Sequence, residues 1–234
     1  MRGIGFTGGE GPGAMLAAAM AEEADIIAAA DSGLMAAEAA GLSPDWIVGD
    51  MDSLGAGGSH EDLRRLDAYP PDRVIRCPRD KDETDTELLL SLLWGQGCDE
   101  VWLAGGGGGR TDHLLAVAAL FERERSPDRW ITAGEDIRQV REGCTLEFPA
   151  AQNCLVSVFP LGSGPWEAES RGLKWPLAEL PWKRGFFGVS NVALEGRFEI
   201  RAIRGRFLVI MPFVKEYIER KMINRKGEEG EEGE

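Results

Sequence analysis

Two carboxylates stand two residues apart in Gly49-Asp50-Met51-Asp52-Ser53. In an extended segment that spacing points both side chains to the same side, so both can reach one hard cation. Magnesium takes oxygen ligands, commonly one or two carboxylates together with substrate phosphates; a solvated acidic turn is the plainer alternative. A second acidic run, Arg79-Asp80-Lys81-Asp82-Glu83-Thr84-Asp85-Thr86-Glu87, directly precedes a predicted helix. Thr84 and Glu87 fit a capping box, and acids suit the positive end of a helix. Capping explains one or two acids but not the density of Asp80, Asp82 and Asp85. Asp85 is the candidate metal ligand of this run, with Asp80 and Asp82 its solvated members. Ala30-Asp31-Ser32-Gly33 is a weaker signal, equally readable as a turn with a helix cap.

Gly105 to Gly109 run without interruption into Arg110-Thr111-Asp112-His113. Consecutive glycines let backbone amides approach a phosphate, and a following helix adds its N-terminal donors. Arg110 can neutralise charge on a transferring phosphoryl group. No Gly-Lys-Ser/Thr follows, so this is not a P-loop. His113 reads as a packed helix residue more readily than as a catalyst.

These motifs need a scaffold that delivers them to one place. Up to about Thr132, short apolar runs alternate with Ala- and Leu-rich segments, the signature of β-α units and a parallel sheet. Strands are predicted at Asp25 to Ala30, Trp46 to Val48, Val74 to Cys77, Val101 to Ala104 and Trp130 to Thr132. Helices are predicted at Ala14 to Glu23, Gly33 to Ala40, Thr84 to Trp94 and Leu114 to Arg125. All four motifs then fall at or just after strand ends, where open α/β sheets bind ligands. After about Glu135 the pattern changes to short alternating segments punctuated by Gly and Pro: Cys144 to Phe148, Cys154 to Phe159, Gly188 to Leu194, Phe198 to Ile203 and Phe207 to Met211. That pattern suggests an antiparallel sandwich. The expected organisation is a mostly parallel, Rossmann-like α/β/α domain over residues 1–135 and a β-sandwich over 136–212. Residues 213–234 would add a short amphipathic helix and a disordered Glu/Gly tail.

With 234 residues, 43% hydrophobic composition and a formal net charge of -14, the chain can bury two modest cores and lacks the basic footprint of a nucleic-acid binder. Cys77, Cys98, Cys144 and Cys154 form no C-x-x-C pair and are expected to be reduced thiols. No run reaches the length of a membrane span and no signal-peptide core is evident, so the expected compartment is the cytoplasm.

Taken in order, Ala-Asp-Ser-Gly, Gly-Asp-Met-Asp-Ser, Asp-Lys-Asp-x-Thr-Asp and Gly-Gly-x-Gly-Gly-Arg-x-Asp-His resemble the thiamine pyrophosphokinase family. Gly172-Leu173-Lys174-Trp175-Pro176-Leu177 and Gly188-Val189-Ser190-Asn191 resemble that family's thiamine-binding segments on a β-sandwich. The resemblance implies transfer of diphosphate from ATP to thiamine, giving thiamine diphosphate and AMP, in a homodimer whose sites lie where two chains meet. It further implies that Asp50, Asp52 and Asp85 hold magnesium and diphosphate, assisted by Asp31 and Asp112, and that Arg110 clamps the phosphates. Ser32, Gly33, Ser53, Gly106, Gly109 and His113 would line the nucleotide side. Trp175 would pack on a thiamine ring, with polar contacts from Ser190 and Asn191. Met51 departs from the aromatic residue usual there. A related pyrophosphokinase transferring diphosphate to another alcohol, such as a hydroxymethyl pterin, would share the first domain, and an inactive nucleotide- or thiamine-binding regulator is the reading outside enzymes.

Overall fold

The computed structural model describes residues 1–51 and 64–213, which form two compact units. Asp52, Ser53, the predicted helix after Pro212 and the acidic tail lie outside the described residues. No helix among those described is long and apolar enough to cross a membrane.

The first unit comprises Met1–Val117 with Trp130–Ala133. Its strands are β1 (Arg2–Phe6), β2 (Ile26–Ala30), β3 (Trp46–Gly49), β4 (Val74–Arg76), β5 (Glu100–Ala104) and β6 (Arg129–Ile131), in the order β6-β5-β1-β2-β3-β4. β1 pairs parallel with β2 and β5, β2 with β3, and β3 with β4. The crossovers carry α1 (Ala14–Ala21), α2 (Gly33–Ala39), α3 (Asp85–Gly95) and α4 (Thr111–Leu120).

The sequence pattern places no strand before Asp25, yet β1 is central to this sheet. Its glycines mask it, since Gly weakens a strand and offers no side chain to pack. The reason for them is helix α3 lying directly on the backbone. A Cβ at Gly3 would stand 2.9 Å from Leu93 Cδ2 and 2.8 Å from Cys98 Sγ, and one at Gly5 would stand 2.9 Å from Leu89 Cδ2. The same helix buries Leu89, Leu90 and Leu93 completely or nearly so. α4 differs from its expected span at both ends. It begins at Thr111, and after Leu120 the amides of Phe121, Glu122 and Arg123 turn back to carbonyls three residues earlier, tightening the chain out of the α-helix.

The second unit, Ala118–Arg129 and Gly134 onward, is a β-sandwich. One sheet runs β11 (Gly188–Val192), β9 (Leu155–Leu161), β13 (Arg206–Pro212), β7 (Glu135–Val140); the other runs β10 (Glu167–Arg171), β12 (Arg197–Arg204), β8 (Thr145–Pro149). Alternation sends Phe198, Ile200 and Ala202 inward against Val156, Val158, Phe207 and Val209, and Phe148 stacks on Phe198 at 4.8 Å. β7 and β10 escape the sequence pattern because they are rich in charge. Buried Asp136 in β7 is held by two bonds from Arg129, 2.7 and 2.8 Å, and by Arg138. Burial works against its charge, but the two guanidinium groups outweigh that and hold its carboxyl below the usual range. All four cysteines are free thiols, Cys98 buried and Cys144 exposed.

Candidate active site

In the first unit the chain builds outward from β1 through β2 and β3 to β4, then crosses back to place β5 and β6 on the other side of β1. The carboxyl ends of β1 and β5 are thus the point where strand order reverses, the general location of ligands in such sheets. Thr7, the residue after β1, donates its amide to Ala104 O at 2.9 Å, and its hydroxyl lies 2.7 Å from that of Thr86 in the first turn of α3. The capping box at Thr84 and Glu87 is formed, with bonds of 3.3 and 2.8 Å. These contacts fix the N-terminus of α3 over the strand ends and so fix Asp85.

Asp31 follows β2, Asp50 follows β3 and Asp85 opens α3; each offers a carboxylate oxygen within 4.8 Å of the others. Asp31 is buried and accepts the Met51 amide at 3.2 Å. Both Asp31 and Met51 adopt left-handed backbone, φ 44° and 63°, conformations that cost about 1–3 kcal/mol each and gather at functional sites. Gly49 has φ 145°, and a Cβ there would fall onto Asp31 Oδ1 and stand 3.4 Å from Asp85 Oδ1. The carboxylates therefore pack against bare backbone. Gly33 is buried with no room for a Cβ beside Phe6 O, and half-buried Ser32 faces Gly8. Asp80 and Asp82 are exposed, outside the cluster.

Burial, the hydrogen bond to Asp85 and the charges of Asp85 and Asp50 raise the Asp31 carboxyl to about 7, against the smaller opposing pull of the Met51 amide. A folded-state value above the unfolded one gives stability that is full below the unfolded value and is lost as pH rises through about 7. In magnesium-free buffer the thermal midpoint should therefore fall between about pH 5 and about pH 8, and Asp31→Asn should remove most of that fall. Parallel slopes for the two proteins in a pH series of melting curves would contradict this assignment.

Lys81 was not among the expected site residues, although it stands four residues before Asp85. Its side chain is only 12% exposed and its ammonium is ion-paired with Asp85 Oδ1. Burial opposes that charge, yet the bond to Asp85 and the fields of Asp85 and Asp50 leave its pKa above the usual lysine value.

Across the switch point, the amides of Gly105, Gly106 and Gly107 go to Ile131 O, Gly8 O and Glu10 O at 3.0, 2.8 and 3.0 Å. The buried half of the glycine run is thus knitted into the fold. Gly108 and Gly109, exposed and at φ 62° and 61°, form its open end. Arg110 follows, exposed, gripped by Asp112 through bonds of 3.1 and 2.6 Å. Those bonds pull the Asp112 carboxyl down to about 2. Asp112 also accepts the His113 amide at 3.0 Å, and His113 is exposed rather than packed.

In the sandwich unit, Trp175 is 49% exposed with the Lys174 ammonium 4.6 Å above its ring. Asn191 is buried. Its amide donates to Trp175 O at 2.7 Å while its carbonyl accepts the Trp175 amide at 3.1 Å, so it sets the backbone of Trp175. Ser190 is exposed at φ 60°, within the stretch where β11 slips register against β9. Asn191→Ala leaves both main-chain groups of Trp175 without that partner. It should cost about 1–3 kcal/mol of stability and raise KM for thiamine, with KM for nucleotide unchanged. An equal rise in both would remove the positioning role.

A parallel sheet that gathers three carboxylates at its strand ends, beside a glycine loop carrying an arginine, defines a nucleotide-handling α/β enzyme. Residues 17–131 match the family model described as thiamin pyrophosphokinase, catalytic domain. The fold agrees. Thiamin pyrophosphokinase from Geobacillus thermodenitrificans is 25% identical with a TM-score of 0.70, over 92% of this chain and 98% of that one. The Bacillus subtilis enzyme is 20% identical with a TM-score of 0.72, over 92% and 100%. The Candida albicans enzyme is 14% identical with a TM-score of 0.70, over 91% and 90%. Comparison with curated protein sequences returns no significant match.

Proposed function

We propose that this chain is a magnesium-dependent thiamine pyrophosphokinase, transferring the diphosphate of ATP to the hydroxyl of thiamine to give thiamine diphosphate and AMP. The observation that carries the reading is the meeting of Asp31, Asp50 and Asp85 at the strand ends of the matched catalytic domain. An all-oxygen donor set of mutually repelling carboxylates suits a hard dication, which would neutralise charge on the polyphosphate. Asp50 and Asp85 hold it, with Asp52 as a further ligand and Asp31 supporting. Transfer asks mainly for alignment of the alcohol with the β-phosphorus and stabilisation of charge. Arg110 supplies a planar fork of donors to the phosphates, held by Asp112 at the mouth of the open glycine turn. Gly106, Gly109, Ser32, Gly33, Ser53 and His113 flank the nucleotide. Trp175 stacks on thiamine, Ser190 provides polar contact, and Asn191 acts through the backbone of Trp175.

The test is to incubate the protein with ATP, magnesium and thiamine and to look for AMP with thiamine diphosphate in equal amounts. AMP formed only with a hydroxymethyl pterin would transfer the reading to another alcohol. No AMP with either alcohol would leave a binding protein.

The same reading makes the enzyme a homodimer with the carboxylates of one subunit facing Trp175 and Ser190 of the other. Co-refolding Asp50→Asn with Trp175→Ala should then recover roughly a quarter of wild-type activity, because half the dimers are mixed and each of these holds one intact site. Activity no higher than the mean of the separate variants would place each site within one chain.

A further inference from the structure

The partner of Asp85 identifies a further residue of this site. Lys81 Nζ is bound to Asp85 Oδ1, and that oxygen is the one turned toward Gly49, where Asp31 Oδ1 also lies. The ammonium therefore sits at the carboxylate cluster itself and not on its outer rim. Its side chain is 12% exposed against 27% for Asp85, so the arm is laid down within the site. The tether is short: Lys81 is held by its own main-chain bond to Arg79 O at 3.2 Å, three residues before the Thr84 cap that fixes Asp85. A cation entering among Asp31, Asp50 and Asp85 must compete for Asp85 Oδ1, and two cations cannot share that oxygen without mutual repulsion.

We propose that Lys81 is a tethered counter-cation of the metal site, holding Asp85 in ligand position in the magnesium-free protein and giving up that oxygen when the metal binds. The inference rests on the magnesium reading above. Its physical value is preorganisation: three carboxylates within 4.8 Å repel one another, and an internal cation keeps them together until the dication arrives. The cost is a weaker grip on metal, since the ion pair must be broken first. Lys81 is a positioning residue in this account, acting through Asp85.

The experiment measures Mn2+ alone, without nucleotide, by electron paramagnetic resonance titration of the full chain. Lys81→Met and Lys81→Gln should each bind Mn2+ roughly fivefold more tightly than wild type, the worth of a partly exposed ion pair no longer broken, and Lys81→Arg should match wild type. Either neutral variant suffices if the other does not fold. Unchanged or weaker Mn2+ binding in the neutral variants overturns the proposal. Asp50→Asn separates this inference from its premise, because Asp50 lies outside the ion pair. If wild type and Asp50→Asn bind Mn2+ equally, the metal reading itself fails and takes the counter-cation with it. If Asp50→Asn binds more weakly while the Lys81 variants equal wild type, only the counter-cation fails.

Discussion

Gly49→Ala should lose roughly a hundredfold or more in kcat while making no change to any side chain with chemistry of its own. The new methyl would fall onto Asp31 Oδ1 and stand 2.9 Å from Asp31 Cγ, so the carboxylate has to leave its place. Misplacement of a reacting constellation by about 1 Å can cost 10²-fold. The backbone adds to this, because φ 145° at Gly49 is a conformation that L side chains rarely adopt, worth about 1–3 kcal/mol of strain. Steady-state kinetics with varied magnesium, paired with melting curves, checks both parts. A variant with normal kcat and a normal thermal midpoint would mean that Asp31 does not need its observed position.

Asp50→Asn and Asp85→Asn should each lower kcat by roughly a hundredfold to a thousandfold, the scale of removing one preorganised electrostatic partner of a transition state. The side chains keep their shape, so the fold should survive. Stability separates the two variants. Asp50→Asn leaves the Lys81–Asp85 ion pair in place, so its magnesium-free thermal midpoint should fall less than that of Asp85→Asn. Asp85→Asn strips Lys81 of its ion-pair partner and should lower that midpoint. Turnover near wild type for either variant at limiting magnesium would remove the metal assignment.

Much of this site could be read along the chain because its determinants are local. The run from Thr84 to Glu87 announces its own helix start, since a capping box is a relation between residues three apart, and the helix begins at Asp85. The apolar runs of β2, β3 and β5 are those of strands buried on both faces. The alternation of β12, with Phe198, Ile200 and Ala202 inward, likewise belongs to one strand and one period. β1 could not be found in this way. Its glycines have meaning only against Leu89, Leu93 and Cys98, roughly ninety residues away. β7 was hidden for a similar reason: Asp136 is tolerable inside only because Arg129 and Arg138 meet it there.

The order of the four motifs, their placement at strand ends and the change from β-α units to alternating strands were determined by the sequence itself, because periodicity and capping act over a few residues. Tertiary structure decided which acids meet. Asp80, Asp82 and Asp85 are chemically alike on paper, yet only Asp85 joins Asp31 and Asp50, which come from the ends of two other elements. It likewise decided that Gly105 to Gly107 spend their amides on the fold, that Asn191 holds the main chain of Trp175, and that Lys81 lies among the carboxylates. Each of these depends on distances between segments remote in the chain, and a hydrogen bond or a charge acts on whatever is near in space.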